Sequence, residues 1–349
     1  MSMPRVIRYM LTLPTVLFRT LSLTTVLGAG MTCLFFVRSH ASLRRSEDSD
    51  GFAYLDVLLK ACGALCRLDT GSFAAGPYFA KRTVHVDCKA IFGEKVFIQQ
   101  THGEVEAPRE IPERFRDAYT MNGRVSVSSH YVNEMYLSKT ANVHIWSENL
   151  VNNWASLASA GNLDGNYGAT TSNELAAALK FANGVRGGRV LVIGSESPWV
   201  EAIALSAGAA EIVTLEYGFI KSEHPSVQTM TPTEYQQNFF SGTLGAFDAI
   251  VTYSSVEHSG LGRYGDALNP WGDILEIARA HCVCKTHGTL IIAVPTTDSD
   301  DGLAFNAHRI YGSIRWPYLA SNWQLITRGP RVPDTPEAWD QRIHVFMKL

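Results

Sequence analysis

Several signals that often identify a protein are missing from this chain. No Asn-x-Ser/Thr sequon is present, so the sequence gives no indication of N-glycosylation in a lumenal compartment. The six cysteines include no Cys-x-x-Cys pair, which excludes the common structural zinc sites, and we predict no metal site. Internal repeats and low-complexity tracts are absent as well, which excludes solenoids and other repeat architectures.

Strong charge of either sign is also lacking. The 349 residues include 30 Lys and Arg against 33 Asp and Glu, which gives a formal net charge of -3. Proteins that bind nucleic acid present a basic surface to the phosphate backbone, so we expect no nucleic-acid partner. With 46% hydrophobic residues, the chain has enough apolar side chains to form a large core.

An uncharged segment lies near the N-terminus. Residues Thr20 to Val37 contain no charged side chain, and about 18 apolar residues are just enough to cross a bilayer as a helix. We expect a single-pass membrane anchor within residues 1–45, which makes the membrane a partner and an endomembrane the expected location. Ser39-His40-Ala41 resembles a signal-peptidase site, so a cleaved signal peptide of a secreted protein stays open, as does a buried helix.

Two regions follow this segment. Residues 46–183 form a predicted N-terminal extension, with helical spacing from Phe52 to Leu68 and strand-like runs between Val84 and Ile98. From Arg189 onwards, apolar strand-like runs alternate with helical segments. This alternation is typical of a parallel sheet with right-handed crossovers. We therefore predict an α/β fold with a Rossmann-like, doubly wound sheet over residues 184–349.

The C-terminal end departs from the alternation. The runs at residues 323–327 and 343–347 are strand-like, and only a Pro-rich loop separates them. A connection without a helix favours antiparallel pairing. The sheet is therefore expected to be mostly parallel, with an antiparallel C-terminal strand.

A strand, a turn and a helix open the 184–349 region. The run at residues 190–193 ends at Gly194, and a helix is predicted from Pro198. Glycine lets the backbone approach a ligand, and a helix N-terminus attracts a carboxylate or phosphate. Only the first glycine of a Gly-x-Gly-x-Gly turn is present, because Glu196 and Pro198 occupy the next two positions. We assign Gly194, Ser195 and Glu196 to a cofactor site, and a plain strand–helix turn is the alternative.

The second strand, residues 212–215, ends on Glu216. A carboxylate at this position can accept the ribose hydroxyl groups of a nucleoside in nicotinamide and methyl-donor folds alike. We assign Glu216 and the following Tyr217 to cofactor binding. A solvated strand end is the alternative.

Polar residues also follow the buried strand at residues 247–252. We assign Ser254 and Ser255 to cofactor binding, and Glu257 and His258 to proton transfer. Histidine titrates near neutral pH, and a neighbouring carboxylate can orient a ring nitrogen. A helix cap is the alternative interpretation of the Glu-His pair.

Substrate-binding residues are expected in two further segments. Arg263 and Asp266 lie in a Gly-rich loop, and loops above a sheet commonly cover a site. His308 and Arg309 follow the strand predicted at residues 289–294, where an arginine can hold an anionic substrate group.

Two segments carry a family resemblance. FDAIVTYSSVEHSG (residues 247–260) and EIARAHCVCKTHGTLIIAVP (residues 276–295) resemble class I S-adenosylmethionine-dependent methyltransferases. More closely, SVEHSGLGRYGDALNPWGD (residues 255–273) and FNAHRIYGSIRWP (residues 305–317) resemble a nematode-expanded, Caenorhabditis-type domain of unknown function. The closer resemblance spans residues 188–328 and implies the fold but little chemistry, whereas the methyltransferase resemblance implies an S-adenosylmethionine cofactor.

Three functions remain open at this point. The first is a methyltransferase-like enzyme that uses S-adenosylmethionine and acts on a small molecule or glycan, with His258 as the base. The second is a nicotinamide-dependent oxidoreductase, because Gly194 and Glu216 fit it as well. The third is a binding module without catalysis, in which Glu196 and Pro198 have removed the cofactor.

Overall fold

The structure, a computed structural model, describes residues 54–68, 82–93, 106–134, 140–329 and 340–349. The predicted anchor, residues 1–45, lies outside these ranges, so its role and the endomembrane location stay predictions. Within the described ranges, no helix combines the length and the apolar character that crossing a bilayer requires. All the described residues belong to one compact unit, residues 51–349.

Helices and strands alternate along most of this unit. The helices are α1 (54–62), α2 (Cys88–Ile91), α3 (Arg116–Thr120), α4 (Glu148–Ser159), α5 (Ala169–Phe181), α6 (Trp199–Ser206), α7 (Pro232–Ser241), α8 (Gly272–Val283) and α9 (Trp316–Leu319). The strands are β1 (Ser126–Ser129), β2 (Thr140–Trp146), β3 (Arg189–Ile193), β4 (Glu211–Leu215), β5 (Phe219–Ser222), β6 (Val227–Met230), β7 (Phe247–Tyr253), β8 (Cys284–Ala293), β9 (Gly302–Phe305), β10 (His308–Ile310), β11 (Trp323–Arg328) and β12 (Ile343–Lys348).

A seven-stranded sheet forms the centre of the unit. Its strand order is β11-β12-β8-β7-β3-β4-β6. Strands β6, β4, β3, β7 and β8 run parallel, whereas β12 lies antiparallel between β8 and β11. The α/β class, the mostly parallel sheet and its antiparallel C-terminal strand are therefore confirmed.

Both faces of this sheet are buried, which explains why its strands are apolar at consecutive positions. In β3, Leu191 and Ile193 belong to one hydrophobic cluster, and Val190 and Val192 belong to the other. Helices α1, α2, α7 and α8 pack in the first cluster, and α4, α5 and α6 pack in the second. Each such side chain contributes roughly 1.5–3 kcal/mol when fully buried. The predicted extension thus supplies helices to both layers, and the boundary at residue 184 stays a prediction.

Three segments differ from the expectation. The strand predicted near Val84 is wrong for the described residues 82–93, which contain helix α2 instead. Asp87 Oδ1 accepts a hydrogen bond from Ala90 N at 3.0 Å and caps this helix. Residues 94–98 lie outside the described ranges. Strand β6 forms in a segment for which no strand is predicted, because its backbone pairs in parallel with β4. Residues 285–288, which the Lys-Thr-His-Gly sequence places in a turn before this strand, form an irregularity within β8. The register with β7 shifts there from Phe247↔Cys284 to Ala249↔Thr289, and His287 has a φ of +61°.

Two disulfides are present among the described residues. Cys88 of α2 is bonded to Cys282 near the end of α8, with a sequence separation of 194. Cys62 is bonded to Cys66, with a sequence separation of 4. The long-range disulfide attaches residues 82–93 to the sheet-packed helix α8.

Removing the long-range disulfide is expected to destabilise the fold. The Cys282→Ser variant should lower the free energy of unfolding by about 4 kcal/mol, because the unfolded chain gains the freedom that a large closed loop removes. Equilibrium unfolding in urea measures this loss. Cys66→Ser is the matched control, with a loss roughly 3 kcal/mol smaller because loop entropy grows with the logarithm of loop length. Equal losses in the two variants would contradict the prediction.

Candidate functional site

The carboxyl ends of β3, β4 and β7 meet at one edge of the central sheet. After β3 the chain passes to β4 and β6 on one side, and then returns to the other side to form β7. In open α/β sheets, ligands bind in the crevice at such a reversal. Here the crevice contains two adjoining cavities, of ≈ 320 Å³ and ≈ 60 Å³. They share six lining residues: Gly194, Glu216, Tyr217, Ser255, Ser259 and Asp266.

Gly194 brings the turn after β3 against the residues that follow β7. Its φ is +73°, and its N–H donates to the carbonyl oxygen of Leu215 at 2.9 Å. A Cβ atom here would lie 1.8 Å from the hydroxyl oxygen of Ser255, so a larger residue does not fit. The next residue, Ser195, is buried, and its N–H donates to Glu216 Oε2 at 2.8 Å. The turn therefore links the ends of all three strands.

Glu216 lies at the end of β4, and backbone N–H groups bind both of its carboxylate oxygens. Oε1 accepts from Tyr217 N at 2.6 Å and from Gly218 N at 3.3 Å, and Oε2 accepts from Ser195 N. A carboxylate offers about four acceptor sites, so one stays open to a ligand hydroxyl. Burial raises the pKa of Glu216 to about 7, against the opposing effect of these N–H groups.

A second carboxylate, which the sequence analysis missed, lies beneath the same turn. Glu201 of α6 is 0% exposed and accepts hydrogen bonds from Thr214 Oγ1 at 2.7 Å and Ser195 Oγ at 3.0 Å. Burial raises the pKa of Glu201 to about 7. The signal available in the sequence was one acidic residue within the apolar run of α6. In the structure Glu201 fixes the side chain of Ser195, whose backbone holds Glu216.

The larger cavity is acidic. Glu196 lines it, and its Oε2 accepts a hydrogen bond from Asn142 Nδ2 at 2.9 Å. Burial and the negative charge of Glu134 raise the pKa of Glu196. Glu134 is in turn paired with Arg263, with 2.6 Å between Oε2 and Nε. Among the described residues, the lining has four carboxyl groups and one guanidinium with a formal charge: Glu134, Glu196, Glu216, Asp266 and Arg263.

Glu257 and His258 lie in a short 3₁₀ turn after β7. His258 lines the larger cavity, and its Nε2 is 3.7 Å from Glu257 Oε1. Its Nδ1 lies 2.6 Å from the carbonyl oxygen of Ala307. Burial and the charge of Arg263 lower the pKa of His258 to about 3, whereas burial raises the pKa of Glu257 to about 7. The imidazole is therefore neutral near physiological pH and can accept a proton at Nε2.

Arg263 and Asp266 both line the larger cavity, but their side chains differ in what they bind. Asp266 accepts the backbone N–H groups of Gly260 at 2.7 Å and Tyr264 at 3.3 Å, and so shapes its own loop. Burial raises the pKa of Asp266. Arg263 reaches His258, with 3.3 Å between Nη1 and Nδ1.

His308 and Arg309 lie outside the linings of both cavities. Arg309 is 1% exposed, and its Nη1 donates to the carbonyl oxygens of Glu257 at 3.2 Å and Ser259 at 2.8 Å. The structure thus places Arg309 under the loop rather than at the cavity, because backbone carbonyl groups bind its guanidinium. The ring of His308 is perpendicular to that of His258, with 6.4 Å between centroids.

Three aromatic residues form one wall of the larger cavity, and the sequence analysis missed this wall. The ring centroids of Tyr167 and Trp199 are 5.7 Å apart, and Tyr253 lies 5.1 Å from each of them. Tyr167 comes from the turn before α5, far in sequence from the strand ends. No local pattern could have associated it with the site.

One known family matches part of the C-terminal region. Residues 187–331 match the family DUF268, described as a Caenorhabditis protein of unknown function. This match confirms the resemblance carried by residues 255–273 and 305–317. No curated protein matches the chain.

Solved structures of methyltransferases are similar to about half of the chain. A candidate S-adenosylmethionine-dependent methyltransferase from Streptococcus mutans is 11% identical with a TM-score of 0.33, covering 53% of this chain and 49% of that chain. A candidate methyltransferase from Streptococcus mutans, in complex with SAH, is 9% identical with a TM-score of 0.31, covering 50% and 95%. The N-methyltransferase NodS from Bradyrhizobium japonicum is 12% identical with a TM-score of 0.31, covering 51% and 96%. At these scores the likeness carries no inference about activity.

Proposed function

We propose that the crevice binds S-adenosylmethionine and that the protein transfers its methyl group to an oxygen or nitrogen atom of a small molecule or glycan. The proposal is carried by the acidic cavity at the sheet reversal, with Gly194 and Glu216 at the ends of two adjoining strands. In doubly wound folds this position binds nucleoside-containing ligands. The volume of ≈ 320 Å³ lies within the range of ligand pockets, about 300–1,000 Å³.

The charge of the cavity favours a methyl donor over a dinucleotide. S-adenosylmethionine carries positive sulfonium and ammonium groups, whereas the pyrophosphate of a dinucleotide is negative. The formal charges of the described lining, four carboxyl groups against one guanidinium, favour the former over the latter. At 4 Å, two unit charges interact by about 4 kcal/mol near a protein surface, so the sign of the charges that line the cavity affects which ligand binds. Pro198 also removes one N–H group from the start of α6, where a phosphate normally binds.

The residues present fit the donor and supply the remaining chemistry. Glu216 would hold the ribose through its open acceptor site, and the Gly194 turn would contact the donor. The bound donor supplies an electrophilic methyl group. The chain supplies proximity and orientation, which in well-aligned reactions account for about 7–11 kcal/mol of the barrier. His258 Nε2 would take the proton from the acceptor atom, since Nδ1 is bound to Ala307.

Glu216→Ala is expected to weaken S-adenosylmethionine binding. Loss of a hydrogen bond to a charged group should lower the affinity by about 10- to 100-fold. Isothermal titration calorimetry on the full-length chain measures the change. Glu211→Ala is the matched control, because Glu211 lies at the opposite end of the same strand and pairs with Arg189. It should leave the affinity unchanged.

The same titrations with nicotinamide dinucleotides separate the alternatives. Tighter binding of a dinucleotide than of S-adenosylmethionine would overturn the proposal in favour of an oxidoreductase. Binding of neither ligand would overturn it in favour of a module without catalysis.

A further inference from the structure

One carboxyl group of the larger cavity is half-buried and bound by an amide rather than by a cation. Glu196 lines the cavity from the turn before α6, and its Oε2 accepts a hydrogen bond from Asn142 Nδ2 at 2.9 Å. Among the residues that the structure describes, Glu196 forms no ion pair, whereas the guanidinium of Arg263 is paired with Glu134. A charge enclosed by protein is costly unless a counter-charge accompanies it. A cationic ligand would supply that counter-charge to Glu196.

The aromatic wall, formed by Tyr167, Trp199 and Tyr253, starts on the same turn. Trp199 follows Glu196 by three residues, and both side chains line the cavity. The planes of the three rings are inclined to one another by 42°, 59° and 78°, so the rings do not stack. Packing holds two of them in place, since Trp199 is 2% exposed and Tyr253 is 8% exposed. Groups of aromatic side chains bind alkylammonium ions, because the negative face of each ring attracts a cation.

The negative charge of the lining is larger than the donor alone can balance. When all four carboxyl groups are ionised, the described lining has an excess of three negative charges, because one guanidinium opposes them. S-adenosylmethionine has two cationic groups and one carboxylate, so two negative charges remain after it binds. Burial raises the pKa values of Glu196, Glu216 and Asp266, so these groups take up protons more readily than exposed carboxylates. A second cation in the cavity favours their ionised forms.

We propose that the methyl acceptor is an alkylamine, which enters the larger cavity as an alkylammonium ion and binds between Glu196 and the aromatic wall. The inference rests on the proposed function and narrows its acceptor atom from oxygen or nitrogen to nitrogen. The aromatic rings would contact the alkyl groups and the cation, and Glu196 would balance the charge. A sugar or alcohol hydroxyl group has no charge for these groups to recognise.

The reaction balances with water as the only additional participant. The bound alkylammonium ion loses one proton to the Nε2 atom of His258, which lines the cavity and passes the proton to water. The neutral nitrogen then attacks the methyl carbon of the donor. A nitrogen–carbon bond forms, the carbon–sulfur bond breaks, and its electron pair stays on the sulfur. The positive charge thus moves from the sulfur to the methylated nitrogen and remains in the cavity.

This movement of charge is what the cavity can assist. Groups that attract a cation at the acceptor atom accelerate a reaction in which positive charge develops there, so Glu196 and the aromatic wall would lower the barrier for nitrogen. With an oxygen acceptor, the proton leaves during the transfer and the product is neutral. The same groups would then have no developing charge to stabilise.

The basicity of His258 also favours nitrogen. Burial and the charge of Arg263 lower the pKa of His258 to about 3, whereas a general base works best with a pKa near the operating pH. A hydroxyl group is about as weak an acid as water and needs such a base while the new bond forms. An amine loses its proton before that step, and the extent of this pre-equilibrium depends on the amine and the pH rather than on His258. A weakly basic relay is therefore sufficient.

Two probes of equal shape test the inference on the full-length protein. Choline has a quaternary ammonium group, and 3,3-dimethylbutan-1-ol has a neutral carbon atom at the same position. Each is titrated by calorimetry into protein saturated with S-adenosylhomocysteine, the donor without its methyl group. Choline should bind about tenfold more tightly than the alcohol or better, because only choline has a charge for Glu196 and the aromatic wall.

Two variants assign the binding to these groups. Glu196→Gln keeps an acceptor for Asn142 but removes the charge, so it should weaken choline binding by about tenfold and alcohol binding by less than about twofold. Tyr167→Leu removes the most exposed ring of the wall, at 46%, and should weaken choline binding by about fivefold.

Each variant has a matched control away from the cavity. Glu223→Gln removes a carboxylate whose pair with Lys221 is exposed. Phe181→Leu removes an exposed aromatic ring at the end of α5. Both should keep the choline affinity within about twofold.

The titrations also separate this inference from the proposed function. Equal affinities for choline and the alcohol in the wild-type protein would overturn the amine acceptor while donor binding stands. Choline binding that disappears once S-adenosylhomocysteine is bound would overturn it as well, because the aromatic wall would then belong to the donor. If choline binds as expected but neither S-adenosylmethionine nor S-adenosylhomocysteine binds, the cation site is supported and methyl transfer is overturned.

Discussion

Gly194→Ala is expected to abolish S-adenosylmethionine binding and to lower the free energy of unfolding by about 3 kcal/mol. The added Cβ atom would lie 1.8 Å from Ser255 Oγ and 2.5 Å from Ser255 Cβ, so the turn after β3 must separate from the residues after β7. That movement also carries Ser195 N away from Glu216. Calorimetric titration and urea unfolding measure the two effects.

Two further variants separate the clash from backbone strain. Gly187 has a φ of +72° and nothing within 4 Å of its missing Cβ atom, so Gly187→Ala adds strain without a clash. It should cost only about 1–2 kcal/mol and keep the affinity. Adding Ser255→Gly to Gly194→Ala should recover the part of the loss that is steric. Full affinity in Gly194→Ala alone would show that the turn does not form the ligand site.

The position of a site residue can be predicted where a local sequence pattern is enough to place it. Gly194, Glu216 and His258 each follow a buried strand of the parallel sheet, and carboxyl ends of parallel strands meet at one edge. The apolar runs predict the strands, and the turn after each run lies at the edge of the sheet where the strands end. The position of the site follows from that edge. This part of the site needs only the order of strands and helices.

The rest depends on contacts between distant segments. Tyr167 and Glu134 reach the cavity from turns and loops of the N-terminal extension, where no pattern indicates a ligand. The sequence places Arg309 near the expected substrate site. In the structure its guanidinium lies under the loop that follows β7, because the carbonyl groups of residues 257 and 259 bind it. The role of such an arginine depends on which carbonyl groups the folded chain brings around its guanidinium.

The interpretation of Glu196 differs between the sequence and the structure. In the sequence it replaces a glycine of the usual nucleotide-binding turn and weakens the cofactor assignment. In the structure it adds a carboxylate to a lining that already contains Glu134 and Glu216. The same substitution that disfavours a pyrophosphate therefore favours a cationic donor, and the two interpretations differ only in the charge of the ligand.

Breaking the buried ion pair beneath the site should destabilise the fold strongly, because it leaves a buried charge unpaired. Asp273 of α8 is 0% exposed, and its two carboxylate oxygens accept hydrogen bonds from Arg315 at 2.6 and 2.8 Å. Tyr311 donates to it at 2.9 Å, and Arg309 Nε lies 3.7 Å away. These contacts attach β10 and α9 to α8. Asp273→Asn leaves the buried guanidinium of Arg315 without its counter-charge and should lower the free energy of unfolding by about 3–5 kcal/mol.

The loss should depend on pH in a defined direction. Burial alone would raise the pKa of Asp273, but the charges of Arg309 and Arg315 outweigh it and hold the pKa below its usual value. A carboxylate with a lowered folded-state pKa contributes its full stability above its unfolded pKa, about 3.9, and loses it as pH falls through the folded value. The difference between wild type and Asp273→Asn should therefore be constant near neutral pH and shrink in acid.

Urea unfolding of both proteins at neutral and acidic pH checks this dependence. Glu223→Gln is the control for charge removal, because its pair with Lys221 is exposed and should contribute about 0–1 kcal/mol. Adding Arg315→Met to Asp273→Asn removes the unpaired buried charge and should recover part of the loss. If the difference in free energy of unfolding between wild type and Asp273→Asn were the same at neutral and acidic pH, packing and not the charge of Asp273 would attach β10 and α9 beneath the site.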